Sequence, residues 1–116
     1  MEMTLPELLR GYRYTAHNEA ALQAGVERVL QEQGIGFERE KSLSPRDRIE
    51  FYLPEARVGI ECKIDGSQIA VMRQLLRYAE SDRIEELILL TSRNKHRSVP
   101  ETLHGKPVHI VYVGGF

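Results

Sequence analysis

At 116 residues and 13.3 kDa the chain has the length of one domain, and 41% hydrophobic with 28% charged residues excludes a disordered or fibrous polymer. Its longest near-continuous apolar run, Leu87–Leu90, falls far short of the roughly 18 residues of a membrane helix, and one cysteine excludes an internal disulfide. A net charge of −1, from sixteen basic and seventeen acidic residues, excludes a protein that binds nucleic acid by bulk positive charge alone.

Residues 1–14 read as an N-terminal arm or short helix, with Leu5, Leu8 and Leu9 apolar and Pro6 suited to a first turn. The start is acidic and has no apolar stretch of signal-peptide length, so a reduced, cytoplasmic location is expected. A helix follows over Ala16–Gln33, carried by Leu22, Val26, Val29 and Leu30 and stopped by Gly34; either Thr15 or Asn18 caps it. Phe37–Leu43 is polar and predicts an edge strand. Arg48–Leu53 alternates, with Ile49, Phe51 and Leu53 expected on one face and Arg48, Glu50 and Tyr52 on the other. After the turn at Pro54–Arg57, Val58–Ile64 alternates again, with Val58, Ile60, Cys62 and Ile64 opposite Gly59, Glu61 and Lys63.

Ser67 caps a helix running to Ala79, whose apolar stripe is read as Ile69, Met72, Leu75, Leu76 and Ala79. Leu87–Thr91 is apolar on both faces, as a central buried strand is. A basic loop (Arg93, Lys95, Arg97), a helical turn at Pro100–Leu103 and a last strand at Val108–Val113 complete residues 1–116 as a single domain. A helix between the third and fourth strands predicts a parallel crossover. The fold class is therefore α/β, a mixed central sheet flanked by helices in the order α-β-β-β-α-β-β.

The chemistry concentrates on the polar face of the third strand. Glu61 and Lys63 share that face because strand side chains repeat every two residues. Asp47 begins the preceding strand, within reach of Glu61 in a hairpin of this length. Two carboxylates about 4 Å apart repel by roughly 4 kcal/mol at an effective dielectric of about 20. Such a pair calls for a cation, and oxygen ligands without Cys or His favour Mg2+ or Mn2+. On this reading Asp47→Asn relieves the repulsion and raises metal-free stability. Glu19 falls on the apolar stripe of the first long helix, where a carboxylate needs a partner or a metal, and Gln68 leans inward from the start of the next helix.

The string Pro45-Arg46-Asp47, then Gly59-Ile60-Glu61-Cys62-Lys63, then Gln68 opening a helix, resembles the PD-(D/E)XK nuclease superfamily. The element order is similar to that family's restriction-endonuclease-like core over most of the chain, as in small Holliday-junction resolvases and stand-alone VRR-NUC domains. Pro45 stands two residues before Asp47, where the family has it adjacent. The resemblance implies that Asp47 and Glu61 hold a divalent metal, with Glu19 helping directly or through water. It further implies that Lys63 orients the attacking water and that Gln68 supports the site. The implied reaction is hydrolysis of a DNA phosphodiester in a branched or flapped duplex, by a homodimer. The alternative is a catalytically inactive relative that binds nucleic acid or a protein partner.

For the remaining residues the ordinary structural role competes with the functional one. Arg93, Lys95 and Arg97, with Arg10 and Arg13 of the arm, are candidate nucleic-acid contacts; a solvated loop and an arm packed on the domain are the alternatives. Cys62 is expected to be a small buried residue, and His17, His96, His104 and His109 to be surface or capping groups.

Overall fold

The computed structural model describes residues 3–113; Met1 and Glu2 of the arm and the closing Gly114-Gly115-Phe116 lie outside them. Among the described residues three α-helices and six strands form: α1 (Leu5–Arg10), α2 (Glu19–Glu32), β1 (Glu38–Ser42), β2 (Arg48–Leu53), β3 (Val58–Lys63), α3 (Gln68–Ala79), β4 (Glu86–Thr91), β5 (Thr102–Leu103) and β6 (Lys106–Tyr112). A short 3-10 helix spans Asn94–Ser98. The sheet has the order β1-β2-β3-β4-β6-β5. β1, β2 and β3 run antiparallel as a meander, and β3, β4 and β6 run parallel. The expected mixed sheet with a parallel crossover through α3 is present.

Local sequence accounts for the helix starts. Thr4 and Glu7 make a reciprocal capping box on α1, Asn18 accepts from the Ala21 amide to begin α2, and Ser67 accepts from the Ala70 amide to begin α3. Asn18, not Thr15, is thus the cap of the long helix.

The two faces of the sheet are covered by different helices. α2 lays Leu22, Val26, Val29 and Leu30 on Phe51, Leu53, Ile60, Cys62, Ile88 and Val111. α3 lays Val71, Leu75, Tyr78 and Ala79 on the other face, against Ile49, Tyr52, Leu87, Leu89 and Val108. Each fully buried aliphatic side chain contributes roughly 1.5–3 kcal/mol by leaving water. Gly59 lies on the α3 face, where a Cβ would press into Ile49 and stand 3.1 Å from Ile84 and Leu87.

Four expectations need correction. The α3 stripe is Val71, Leu75, Tyr78 and Ala79; Ile69 is 53% exposed, and Met72 and Leu76 are only half-buried. Ile49 does not share a face with Phe51 and Leu53: it packs with Tyr52 under α3, so the alternation of β2 breaks at Glu50. The residues after β4 turn into a 3-10 helix at Asn94–Ser98 rather than at Pro100–Leu103, and Thr102–Leu103 forms an edge strand instead. His96 is fully buried, not a surface group. Cys62 is buried as expected, and burial pushes its thiol well above the ordinary range. No helix among the described residues is long and apolar enough to cross a membrane.

Candidate metal and acid site at the β2–β3 seam

The strands β2 and β3 pair from Leu53 and Val58 back to Phe51 and Ile60. One step further, at Glu50 and Glu61, carboxylates take over from the backbone. The Glu50 amide donates to Glu61 Oε1 at 3.2 Å, and the Cys62 amide donates to Glu50 Oε1 at 2.7 Å. Glu50 thus stands across the seam beside Glu61. Both are buried, at 8% and 2% exposure. Across from Glu50 in β1 stands Glu40, whose backbone is left-handed at φ 52°.

Around the pair, Lys63 Nζ lies 3.5 Å from Glu61 Oε2. The Tyr78 hydroxyl bridges from the far side, 3.0 Å from the Arg48 carbonyl and 3.3 Å from Glu61 Oε2. Burial raises both carboxyls above their ordinary range. For Glu61 the charge of Glu50 adds to that effect and Lys63 opposes it; for Glu50 the Cys62 amide and Lys63 oppose it. The phenol of Tyr78 is raised too, by burial and then by the charges of Glu61 and Glu50. Two like charges in so dry a seam favour a shared proton or a bound cation over full ionisation.

Glu19 reaches the same end of β3 from the first position of α2. Its Oε1 accepts from the amides of Ile64 (3.0 Å) and Asp65 (3.4 Å). It is half-buried at the helix start, and its charge contributes to raising the Glu50 carboxyl. The helix stripe that suggested Glu19 thus led to a carboxylate against the β3 terminus.

The other expected site residues are placed differently. Asp47 is paired with Arg77 of α3 (Oδ1 to Nε, 2.9 Å) and accepts from the Ser44 hydroxyl at 3.3 Å. Its charge is thereby compensated, so the repulsion attributed to Asp47 and Glu61 belongs to Glu50 and Glu61. Gln68 turns away, with Nε2 3.5 Å from the Ser98 carbonyl. Of the cations, Arg93 Nε donates to the Ile64 carbonyl at 2.9 Å and Arg10 Nη2 to the Ile110 carbonyl at 3.0 Å. Arg97 stacks over the Tyr112 ring at 4.8 Å. Lys95 and Arg13 are exposed and make no ion pair among the described residues.

Glu50 and Tyr78 are the residues that sequence reasoning missed. The signal for Glu50 was its place eleven residues before Glu61 across a four-residue turn, which makes the two cross-strand neighbours. The signal for Tyr78 was the 71/75/78/79 spacing on α3.

The donor set suits a hard divalent ion. Glu50 and Glu61 offer carboxylate oxygens, Glu19 stands near, and an ion would relieve the mutual repulsion that burial intensifies. Among the described residues no three His, Cys, Asp or Glu side chains are arranged to surround an ion as they stand. An ion held by the pair therefore takes its remaining ligands from water or substrate, as Mg2+ commonly does. The chain matches no protein-family model, no curated protein and no solved structure.

Proposed function

We propose that the chain is a divalent-metal-dependent DNA endonuclease with a restriction-endonuclease-like core, cutting phosphodiesters in a structure-selective way. The observation that carries this reading is the buried Glu50–Glu61 pair with Lys63 on the same carboxylate. Glu50 and Glu61 would hold Mg2+ or Mn2+, and Glu19 would assist from the end of β3. When bound, the ion supplies Lewis-acid polarisation of a phosphate oxygen and lowers the pKa of a water. Lys63 presents an ammonium beside the carboxylates, where it orients the attacking water and offsets charge growing on the phosphate. Tyr78 fixes the start of β2 against Glu61 and so keeps the two acids in register. Asp47, held by Arg77, supports the loop before β2 and is not assigned to the metal.

A second reading draws on a separate observation. Both carboxylates accept backbone amides across the seam, as a structural staple would. In that case the chain is an inactive module that binds nucleic acid or a protein partner.

Cleavage of a labelled panel decides between them: single strand, duplex, flap, nicked duplex and four-way junction, each with Mg2+, Mn2+ or EDTA. Metal-dependent cutting is expected, with Lys63→Ala reducing it at least 100-fold. Absence of cutting on every substrate, with no metal-induced rise in melting temperature, refutes the nuclease and leaves the binding module.

A further inference from the structure

The turn that follows Lys63 is held by side chains from two distant parts of the chain. Glu19 accepts from the Ile64 and Asp65 amides, at 3.0 and 3.4 Å. Arg93 Nε donates to the Ile64 carbonyl at 2.9 Å. His96 Nε2 lies 2.7 Å from the Gly66 carbonyl. Gly66 itself is left-handed, at φ 97°, a conformation that other residues reach only under strain.

His96 is the least expected member of this set. It sits in the 3-10 helix of an exposed, basic segment, yet none of its surface reaches solvent. Its Nδ1 is 2.7 Å from Thr91 Oγ1, and Thr91 Oγ1 also accepts the Arg93 amide at 3.0 Å. A carbonyl only accepts, so the hydrogen bond to Gly66 puts a proton on Nε2; in the neutral ring Nδ1 then accepts from the Thr91 hydroxyl. Thr91 is the β4 residue directly beside Lys63 of β3. No buried side-chain nitrogen or oxygen among the described residues lacks a partner, so this relay is complete.

We propose that His96 is a positioning residue for the Glu50–Glu61–Lys63 site. It locks the Ile64–Gly66 turn to the end of β4 and so fixes where Lys63 and the Glu19-bound amides stand. The catalytic part of this role rests on the nuclease reading above. The proposal also reassigns Arg93: with its guanidinium on Ile64 and its amide on Thr91, it belongs to the clamp rather than to a nucleic-acid edge.

The test compares wild type with His96→Phe, which keeps a ring but removes both bonds, and with Thr91→Val and Thr91→Ser. Amide hydrogen exchange is read residue by residue on the metal-free protein, together with imidazole nitrogen shifts and kcat and KM on the preferred DNA. In wild type, the ring shifts should report a proton on Nε2. In His96→Phe the amides of Ile64 and Asp65 should exchange at least tenfold faster, with those of α2 and β4 unchanged. Its kcat should fall at least tenfold with KM within twofold. Thr91→Val should show the same pattern more weakly, and Thr91→Ser, which keeps the hydroxyl, should behave as wild type. If His96→Phe does not fold, the two Thr91 variants carry the same comparison. Unchanged exchange at residues 64–66 in a folded variant overturns the clamp, whatever the wild type cuts. A wild type that cuts nothing overturns the catalytic role, while faster exchange in the variant still supports the clamp.

Discussion

Glu50→Gln separates an electrostatic seam from a merely packed one. Glu50 uses Oε1 to accept the Cys62 amide, and a glutamine carbonyl keeps that bond while removing the charge. Burial pushes the Glu50 carboxyl up to about 7 from an ordinary 4.5. A native pKa above the unfolded one means that the folded state binds more protons between those values. Stability of the metal-free protein therefore falls as pH rises from about 5 to 8. Once the pH exceeds both values, ionising Glu50 alone costs the fold on the order of 3 kcal/mol, and Glu61, raised in the same direction, adds to it. Glu50→Gln should thus melt at least 5 °C above wild type at pH 8 in EDTA, since 1 kcal/mol moves the melting temperature of a small domain by roughly 4 °C or more. At pH 5, where the wild-type carboxyl is protonated, the gain should vanish. Mg2+ or Mn2+ should raise the wild-type melting temperature at pH 8 and leave the variant unmoved. Thermal melts followed by circular dichroism at both pH values suffice. A variant that melts at or below wild type at pH 8, or gains equally at pH 5, refutes the claim that like charge is stored in the seam.

Two further substitutions probe its surroundings. Asp47→Asn should lower stability slightly, by less than about 1 kcal/mol in urea titrations, because it gives up a half-exposed pair with Arg77; a gain in stability would return Asp47 to the repulsive cluster. Gly59→Ala should cost about 1–3 kcal/mol by the same method, since the added methyl meets Ile49, Ile84 and Leu87, all fully buried; a neutral result would mean that the Ile49 end of β2 is loosely packed.

Much of the architecture is written in local patterns. The alternation of Val58–Ile64, the doubly apolar Leu87–Thr91 and the capping Ser67 each specify their element without help from the rest of the chain, and together they force the parallel crossover. Lys63 and Glu61 were legible for the same reason: on β3 every residue keeps its parity. The 93–97 segment was not. Its charges mark it as exposed, and nothing in Arg93–Arg97 itself says that the histidine among them turns inward; that depends on Gly66, distant in sequence, and on Thr91 arriving at hydrogen-bond distance on both sides of one ring.

The choice between Asp47 and Glu50 shows where pattern reading stops. Strict alternation through β2 would put Ile49, Phe51 and Leu53 under one helix and leave Glu50 on the side of Tyr52. On β3 that is the face of Gly59 and Glu61, so parity alone points to Glu50, and Asp47 came forward through the Pro45-Arg46-Asp47 string. In the folded chain the parity fails at Glu50, the residue at which β2 and β3 cease to pair through their backbones. That failure has a physical cause. A carboxylate that accepts the neighbouring strand's amide replaces one ladder bond with a side-chain bond, and the strand on its N-terminal side is then free to turn Ile49 toward α3. Such a substitution exposes the fold to charge repulsion in a dry seam, with no packing advantage over a continued ladder. Departures of this kind from local regularity concentrate at working sites, and the seam at Glu50 and Glu61, with Lys63 beside it, is where this chain makes its departure.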